Sequence, residues 1–210
     1  MYKYLILLSL LFISCSSDKQ VTISHENGQP KEVFTVNEEN KKDGVYKQFR
    51  EDGSLMEESN YVADVLQGTR KIYFQDGKQV EIEERYQDGN IDGKYFVFYP
   101  SGKLMIESNY NDGKMDGLFT RYFESGQLME TITFKENLEM GPFKEFYPNG
   151  QVQWEGTYLE GDKEFGLLQQ FAEDGSLIKK MMCDSLGVCQ TIWTPEKGDI
   201  VPQKLNLSKS

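Results

Sequence analysis

The chain has 210 residues, of which 38% are hydrophobic, 13% aromatic and 27% charged. Its 23 basic and 34 acidic residues give a net charge of −11, so nucleic acid and anionic lipid headgroups are not expected as partners. His25 is the single histidine of the chain. Ser-His-Asp catalysis, Cys-His catalysis and most zinc sites are therefore excluded unless His25 itself takes part. The aromatic content argues against disorder, and the length predicts one domain or two small ones.

Residues 1–14 have the composition of a signal peptide. Lys3 provides a positive charge, and the apolar run that follows is too short to span a bilayer. A small residue and then Cys15 resemble the lipobox of bacterial lipoproteins, although Phe12 stands where Leu is usual. The resemblance implies lipidation at Cys15 and anchoring in a membrane; because Ser16 follows rather than Asp, the outer membrane is favoured. An ordinary signal peptide cleaved nearby and a retained membrane anchor are the alternatives.

Glycines divide the remaining chain into repeats. A first series recurs every 24 or 25 residues, at Gly28, Gly53, Gly77, Gly102, Gly126, Gly150 and Gly175. A second series lies nine residues before members of the first, at Gly44, Gly68, Gly93, Gly117, Gly141 and Gly166. Self-similarity at a fixed period indicates a repeat architecture.

Large apolar residues follow the same period. One stands two places after each second-series glycine, except at Arg70, and an aromatic residue stands five places after it. The Asn-Gly, Asp-Gly and Ser-Gly pairs supply the positive φ of a hairpin turn, so each repeat is predicted to be strand, tight turn, strand and loop. Because an isolated hairpin is marginal in water, the repeats must stack into a twisted antiparallel sheet of about 13 strands. The two apolar places have opposite parity, so either a bulge interrupts each strand or both faces are partly covered.

The repeat unit resembles a known family. Residues 92–113 read Asp-Gly-Lys-Tyr-Phe-Val-Phe-Tyr-Pro-Ser-Gly-Lys-Leu-Met-Ile-Glu-Ser-Asn-Tyr-Asn-Asp-Gly, which resembles the MORN repeat in its bacterial variant form. The resemblance covers about residues 20–182 and implies an all-β, elongated meander of stacked β-hairpins. Related proteins include exported 24-residue repeat proteins and YwqK-type antitoxins, which implies a role in binding, including the neutralisation of a toxin.

These observations divide the chain into four parts. They are a signal peptide over 1–14, a short tether over 15–19, a repeat domain over 20–182 and a C-terminal cap or tail over 183–210. The tail contains Cys183 and Cys189, which an oxidising compartment outside the inner membrane favours as a disulfide. Free thiols are the alternative; the spacing is not that of a zinc knuckle, so no metal site is expected.

Acidic residues form the candidate binding surface. A glutamate recurs three places after an aliphatic residue, and Lys47, Lys71 and Lys144 recur on the neighbouring strand. Cross-strand ion pairing and an acidic ligand-binding stripe are the two interpretations. Two acidic loops with faint likeness to calcium loops are explained more simply as turns. The candidate residues are Glu58, Glu83, Glu107, Glu155, Asp92 and Asp116.

Motifs of catalysis are weak in this sequence. Ser176 and Lys179 match a Ser-x-x-Lys nucleophile motif, but its companion motifs are missing from the sequence. No phosphate-binding or dinucleotide-binding glycine motif occurs, so no cofactor is expected. We therefore predict a non-enzymatic envelope protein that binds another protein or a glycan, with a toxin-neutralising protein as the alternative and a carboxylate-dependent hydrolase as the minor third class.

Overall fold

The computed structural model describes residues 19–202, which form one antiparallel sheet of 17 strands joined by turns. The predicted signal peptide and the candidate lipidation site Cys15 lie outside the described residues. The strands are β1 Lys19–Ser24, β2 Pro30–Val36, β3 Lys42–Phe49, β4 Leu55–Val62, β5 Val65–Tyr73, β6 Val80–Gln87, β7 Asn90–Phe98, β8 Leu104–Asn111, β9 Lys114–Met115, β10 Gly117–Tyr122, β11 Leu128–Lys135, β12 Leu138–Phe146, β13 Val152–Tyr158, β14 Gly166–Phe171, β15 Leu177–Cys183, β16 Cys189–Thr194 and β17 Gly198–Asp199.

Each strand pairs with its neighbour in sequence, so the sheet is a meander. Strands β9 and β10 both pair with β8 and act as one strand that is interrupted at Asp116. The prediction of an all-β meander of stacked hairpins is therefore confirmed. No helix in residues 19–202 is long and apolar enough to cross a membrane.

The turns at one end of the strands differ from those at the other end. At one end, the amide of Gly102 donates to the carbonyl of Tyr99 at 2.8 Å, and Gly102 has φ +80°. At the other end, several of the predicted loops are turns of only two residues, such as Asp88 and Gly89 with φ of +51° and +82°, whereas longer loops join β2 to β3 and β13 to β14. Positive φ at both positions defines the type I′ turn, whose twist matches that of the flanking strands.

The second-series glycines lie inside strands, where they form bulges. Gly93 in β7 has φ +108°, and residues 92–94 lie opposite Arg85 alone. Tyr95 follows this bulge on one face, while Phe96 and Phe98 lie together on the other face with ring centroids 6.3 Å apart. Both alternatives left open by the sequence are thus realised: strands are bulged, and both faces carry aromatic rings.

We call the face that carries the residues two places after each second-series glycine the core face. Those residues are Tyr46, Arg70, Tyr95, Phe119, Phe143 and Leu168. Four of them pack against an aromatic ring on the next strand, with centroid distances of 5.7 Å for Tyr46–Tyr61, 5.5 Å for Tyr95–Tyr110, 5.8 Å for Phe119–Phe134 and 4.5 Å for Phe143–Tyr158. A cluster of buried side chains on this face contains Ile132, Phe143, Leu168 and Cys183.

Side chains also link successive repeats through the backbone. The hydroxyl of Tyr99 donates to the carbonyl of Tyr122 at 2.8 Å, and that of Tyr147 donates to the carbonyl of Phe171 at 3.0 Å. Near the N-terminal end, Nε2 of His25 lies 2.9 Å from the carbonyl oxygen of Phe49. Sequence reasoning missed these contacts, although their spacing of 23 or 24 residues is close to the repeat period of 24 or 25.

The sheet continues beyond residue 182, where the repeat domain was predicted to end. Cys183, the last residue of β15, lies opposite Cys189 in β16, and the two form a disulfide. Trp193 pairs with Lys180, whose Nζ lies 5.7 Å from the centre of the indole ring. The predicted C-terminal cap therefore contributes strands to the sheet itself.

Candidate binding surface

The predicted glutamate row lies on the face opposite the core face, and each of its members pairs with a lysine. We call this face the ion-pair face. Its pairs are Lys47–Glu58 at 3.0 Å, Lys71–Glu83 at 3.6 Å, Lys144–Glu155 at 2.9 Å and the close pair Lys94–Glu107. Three of these four pairs are directly opposite in register. The lysines are partly exposed, so each pair contributes at most about 1 kcal/mol to the stability of the fold. The lysines neutralise the charge of the glutamate row.

The other two predicted residues, Asp92 and Asp116, form a hydrogen bond and an ion pair with neighbouring residues. Oδ2 of Asp92 accepts the amide of Asp112 at 3.2 Å, and Asp43 accepts the amide of Ala63 in the same way at 3.3 Å. Oδ2 of Asp116 pairs with Nζ of Lys135 at 2.7 Å. The aspartate before a bulge glycine thus stabilises the ends of neighbouring strands.

Two shallow grooves occur on the ion-pair face at equivalent places. One has a volume of about 280 Å³ and lies between β4 and β5, where Val45 and Thr69 border the Lys71–Glu83 pair. The other has a volume of about 210 Å³ and includes Leu167 and Lys144. Each groove therefore combines apolar and charged side chains at the surface.

The N-terminal half of the core face contains a nearly buried charge network. Arg70 takes the place of an aromatic ring and lies 2.7 Å from Glu57 and 3.1 Å from Glu84. Ser59 donates to Glu57 and Tyr86 donates to Glu84, both at 3.1 Å. The hydrogen bond to Glu57 is the largest of the effects that raise the pKa of Arg70.

Lys42 supplies a second cation to this half. Its Nζ lies 4.4 Å from the ring centre of Tyr46, 5.0 Å from that of Phe34 and 5.3 Å from that of Tyr61. An ammonium group at such distances is attracted by the ring faces. Three rings of the chain therefore form a cage around its own lysine.

The C-terminal half of the core face carries carboxylates instead. Glu130 and Glu145 lie directly opposite each other, and Arg121 reaches Glu130 at 3.8 Å. Burial, and then the charges of Glu130 and Glu164, raise the pKa of Glu145. Burial and four neighbouring glutamates, of which Glu139 has the largest effect, raise the pKa of Tyr158 to about 12.

A groove of about 400 Å³ lies beside these carboxylates. Its lining is Arg121, Phe123, Met129, Glu130, Glu145, Phe146 and Gln153. Sequence reasoning missed both this acidic end and the lysine cage, because neither repeats with the glycine period. For the separate charge network of Glu57 and Glu84, the available signal was Arg70, which breaks the apolar pattern.

Comparison with known proteins identifies the repeat. The sequence model of the MORN repeat variant matches residues 42–63, 91–112, 115–136 and 141–160. Four of the hairpin units match the MORN repeat variant. A search of curated proteins finds no match. The MORN matches leave out residues 64–90, the unit in which Arg70 replaces the aromatic ring, although β5 and β6 keep the same pairing as the matched units.

Proposed function

We propose that this chain is a non-enzymatic, lipid-anchored protein of a bacterial cell envelope that binds another protein, or a glycan, through its repeat sheet. The observation that supports binding most directly is an interrupted row of exposed apolar residues on the ion-pair face, in which Thr69, Lys94 and Pro142 hold the intervening places. Val45, Leu118 and Leu167 each stand one place after a second-series glycine and are 50%, 53% and 44% exposed. Apolar side chains bordered by charged groups are typical of protein contact surfaces.

Affinity capture from an envelope extract tests this proposal. Val45→Asp and Leu118→Asp, combined, should reduce the captured amount of a partner at least fivefold, because charge replaces apolar contact area. Leu186→Asp is the matched control, since Leu186 is 71% exposed in the turn between β15 and β16, away from the row. Equal capture by the double variant, or a turnover activity that one point mutation abolishes with the fold intact, would contradict the proposal.

Anchoring rests on the lipobox-like residues that end at Cys15. Several acyl chains at about 0.8 kcal/mol per buried CH₂ would hold the protein at a membrane essentially permanently. Cys15→Ser should therefore release the protein from the membrane fraction or leave it as unprocessed precursor, whereas Cys189→Ser should remain in that fraction. Mature Cys15→Ser protein that still sediments with membranes would refute the anchor, and fractionation on a sucrose gradient would identify the membrane.

The net charge of −11 favours an antitoxin or immunity role as the second candidate. Complementary charge speeds association with a basic partner and disfavours acidic ones. A large toxin encoded beside this chain, captured by the wild-type protein and inhibited by it, would support this role. Capture of a partner without toxic activity would contradict the antitoxin role and support the envelope binding role.

A further inference from the structure

The disulfide between Cys183 and Cys189 closes the hairpin of β15 and β16, and its two sulfur atoms lie in different surroundings. Cys183 is fully buried, at 0% exposure, and belongs to the cluster that contains Ile132, Phe143 and Leu168. Cys189 packs against this cluster but is only partly buried. A thiol in solution can therefore approach the sulfur of Cys189 more easily than that of Cys183.

Two oxygen atoms lie beside the sulfur of Cys189. Oε2 of Glu164 is 3.4 Å from Sγ of Cys189, and the carbonyl oxygen of Gly187 is 3.7 Å from it. Both sulfur atoms of the disulfide and a carboxylate oxygen of Glu164 lie within 4.8 Å of one another. The loop between β13 and β14 places Glu164 there, since Glu164 pairs with Tyr158 in an isolated β-bridge. A carboxylate thus lies beside the more accessible end of the disulfide.

Thiol–disulfide exchange is a displacement, so the surroundings of the two sulfur atoms decide where it occurs. The attacking thiolate forms a bond to one sulfur, the disulfide bond breaks, and the electron pair leaves on the other sulfur. Attack at Cys189 leaves a thiolate on Cys183 among apolar side chains, where a charge is poorly solvated. Attack at Cys183 would require the hairpin to open first, because that sulfur is inaccessible. A second thiolate then displaces Cys189 from the mixed disulfide, and the two attacking thiols are oxidised to a disulfide.

We infer that thiol–disulfide exchange at this bond proceeds through Cys189, and that Glu164 slows the exchange by repelling anionic thiols. A thiol–disulfide oxidoreductase that acts on the folded chain therefore forms its mixed disulfide with Cys189 rather than with Cys183. Burial of the leaving sulfur makes exchange slow with every thiol, whereas Glu164 adds discrimination by charge. The inference goes beyond the proposed binding function and does not depend on it.

Reduction by two small thiols of opposite charge tests the role of Glu164. All proteins carry Cys15→Ser, so that only the two cysteines of the sheet react. Glu164→Gln should be reduced by anionic mercaptoethanesulfonate about threefold faster than the parent protein at low salt, and the gain should shrink as salt is added. Cysteamine, which is cationic, should reduce the variant no faster than the parent protein.

Glu160→Gln is the matched control, because Glu160 is an exposed carboxylate of the same loop. Its disulfide should be reduced by either thiol at the rate of the parent protein. An equal gain in both variants would indicate repulsion by the total charge of the chain and refute the role of Glu164. An equal gain with both thiols, or no gain for Glu164→Gln, would refute it as well.

Single-cysteine variants identify the sulfur that is attacked. In the same Cys15→Ser protein, Cys183→Ser leaves the thiol of Cys189, and Cys189→Ser leaves that of Cys183. Dithiodipyridine, an uncharged disulfide, should form a mixed disulfide at least about tenfold faster with Cys189 than with Cys183. In urea that unfolds the chain, the two rates should converge. Equal rates in variants that keep the circular dichroism spectrum of the parent protein would overturn the inference.

Peptide mapping of the parent protein gives the same answer with both cysteines in place. Brief exposure to glutathione, stopped by acid, should leave glutathione on Cys189 and a free thiol on Cys183. This measurement does not require a variant to fold without its disulfide. Glutathione found mainly on Cys183, or equally on both cysteines, would overturn the inference.

Discussion

Individual glycines of this chain are required for two different physical reasons. Gly102 takes a positive φ in a turn, whereas Gly156 lies in β13 and is needed for its small size. A Cβ atom on Gly156 would lie 2.8 Å from Cε1 of Phe143 and would also overlap Cδ1 of Leu168. The glycine period predicted the first need but not the second, since Gly156 stands outside both series.

Gly156→Ala should therefore lower the free energy of unfolding by about 1–3 kcal/mol, because the added methyl group overpacks the cluster around Phe143. Urea denaturation measures the change. The second substitution Leu168→Val frees space, so the double variant should lose less stability than the two single changes summed. Full additivity would show that the overlap is not the cause.

The charge network at Arg70 leads to a second prediction. Arg70→Ala should lower the free energy of unfolding by about 3–5 kcal/mol, because Glu57 and Glu84 would remain nearly buried without their partner. Its neighbour Lys71 points to the exposed face and pairs with Glu83, so Lys71→Ala should cost less than about 1 kcal/mol. Equal losses in the two variants would contradict burial as the reason.

The turns and the strand register could be predicted only in part from the sequence. The turns at Gly53, Gly77, Gly102 and Gly126 followed from the first glycine series. The two-residue turns Ala63–Asp64 and Glu136–Asn137 did not, because neither contains glycine although all four residues have positive φ. The lysine–glutamate ladder was predictable, since both partners repeat, whereas the Glu130–Glu145 contact depends on the register that the bulges set.

The turn at Ala63 supports a stabilising substitution. Ala63 has φ +49°, a conformation that costs an ordinary L-residue about 1 kcal/mol and that asparagine adopts more easily. Ala63→Asn should therefore raise the free energy of unfolding by up to about 1 kcal/mol. Ala172→Asn, in a turn residue that has no positive φ, is the control and should give no gain. A similar gain from both changes would exclude turn conformation as the cause.

Stability of the whole molecule follows from contacts between neighbours. Every larger set of contacts joins strands that are adjacent in the sheet, as expected where each repeat meets only the next. Strands β5 and β6 lie outside the MORN matches but pair as the matched strands do, so one divergent repeat leaves the sheet intact. Neighbour contacts explain why the period alone indicated the architecture, whereas the chemistry of each face depends on residues that differ between repeats.

Deleting one complete repeat tests this modularity. Removal of residues 91–114 joins Asn90 to Met115, which pairs with Tyr110 as Ile91 pairs with Tyr86. The shortened protein should fold with an unchanged β-type circular dichroism spectrum and a cooperative but weaker urea transition, because it loses two strand interfaces and keeps its register. Removal of residues 91–103 is the contrasting variant: it takes away β7 and its turn, reverses the direction in which β8 must run, and should prevent folding. Comparable folding of both deletions, or failure of both, would contradict a sheet built from interchangeable hairpins.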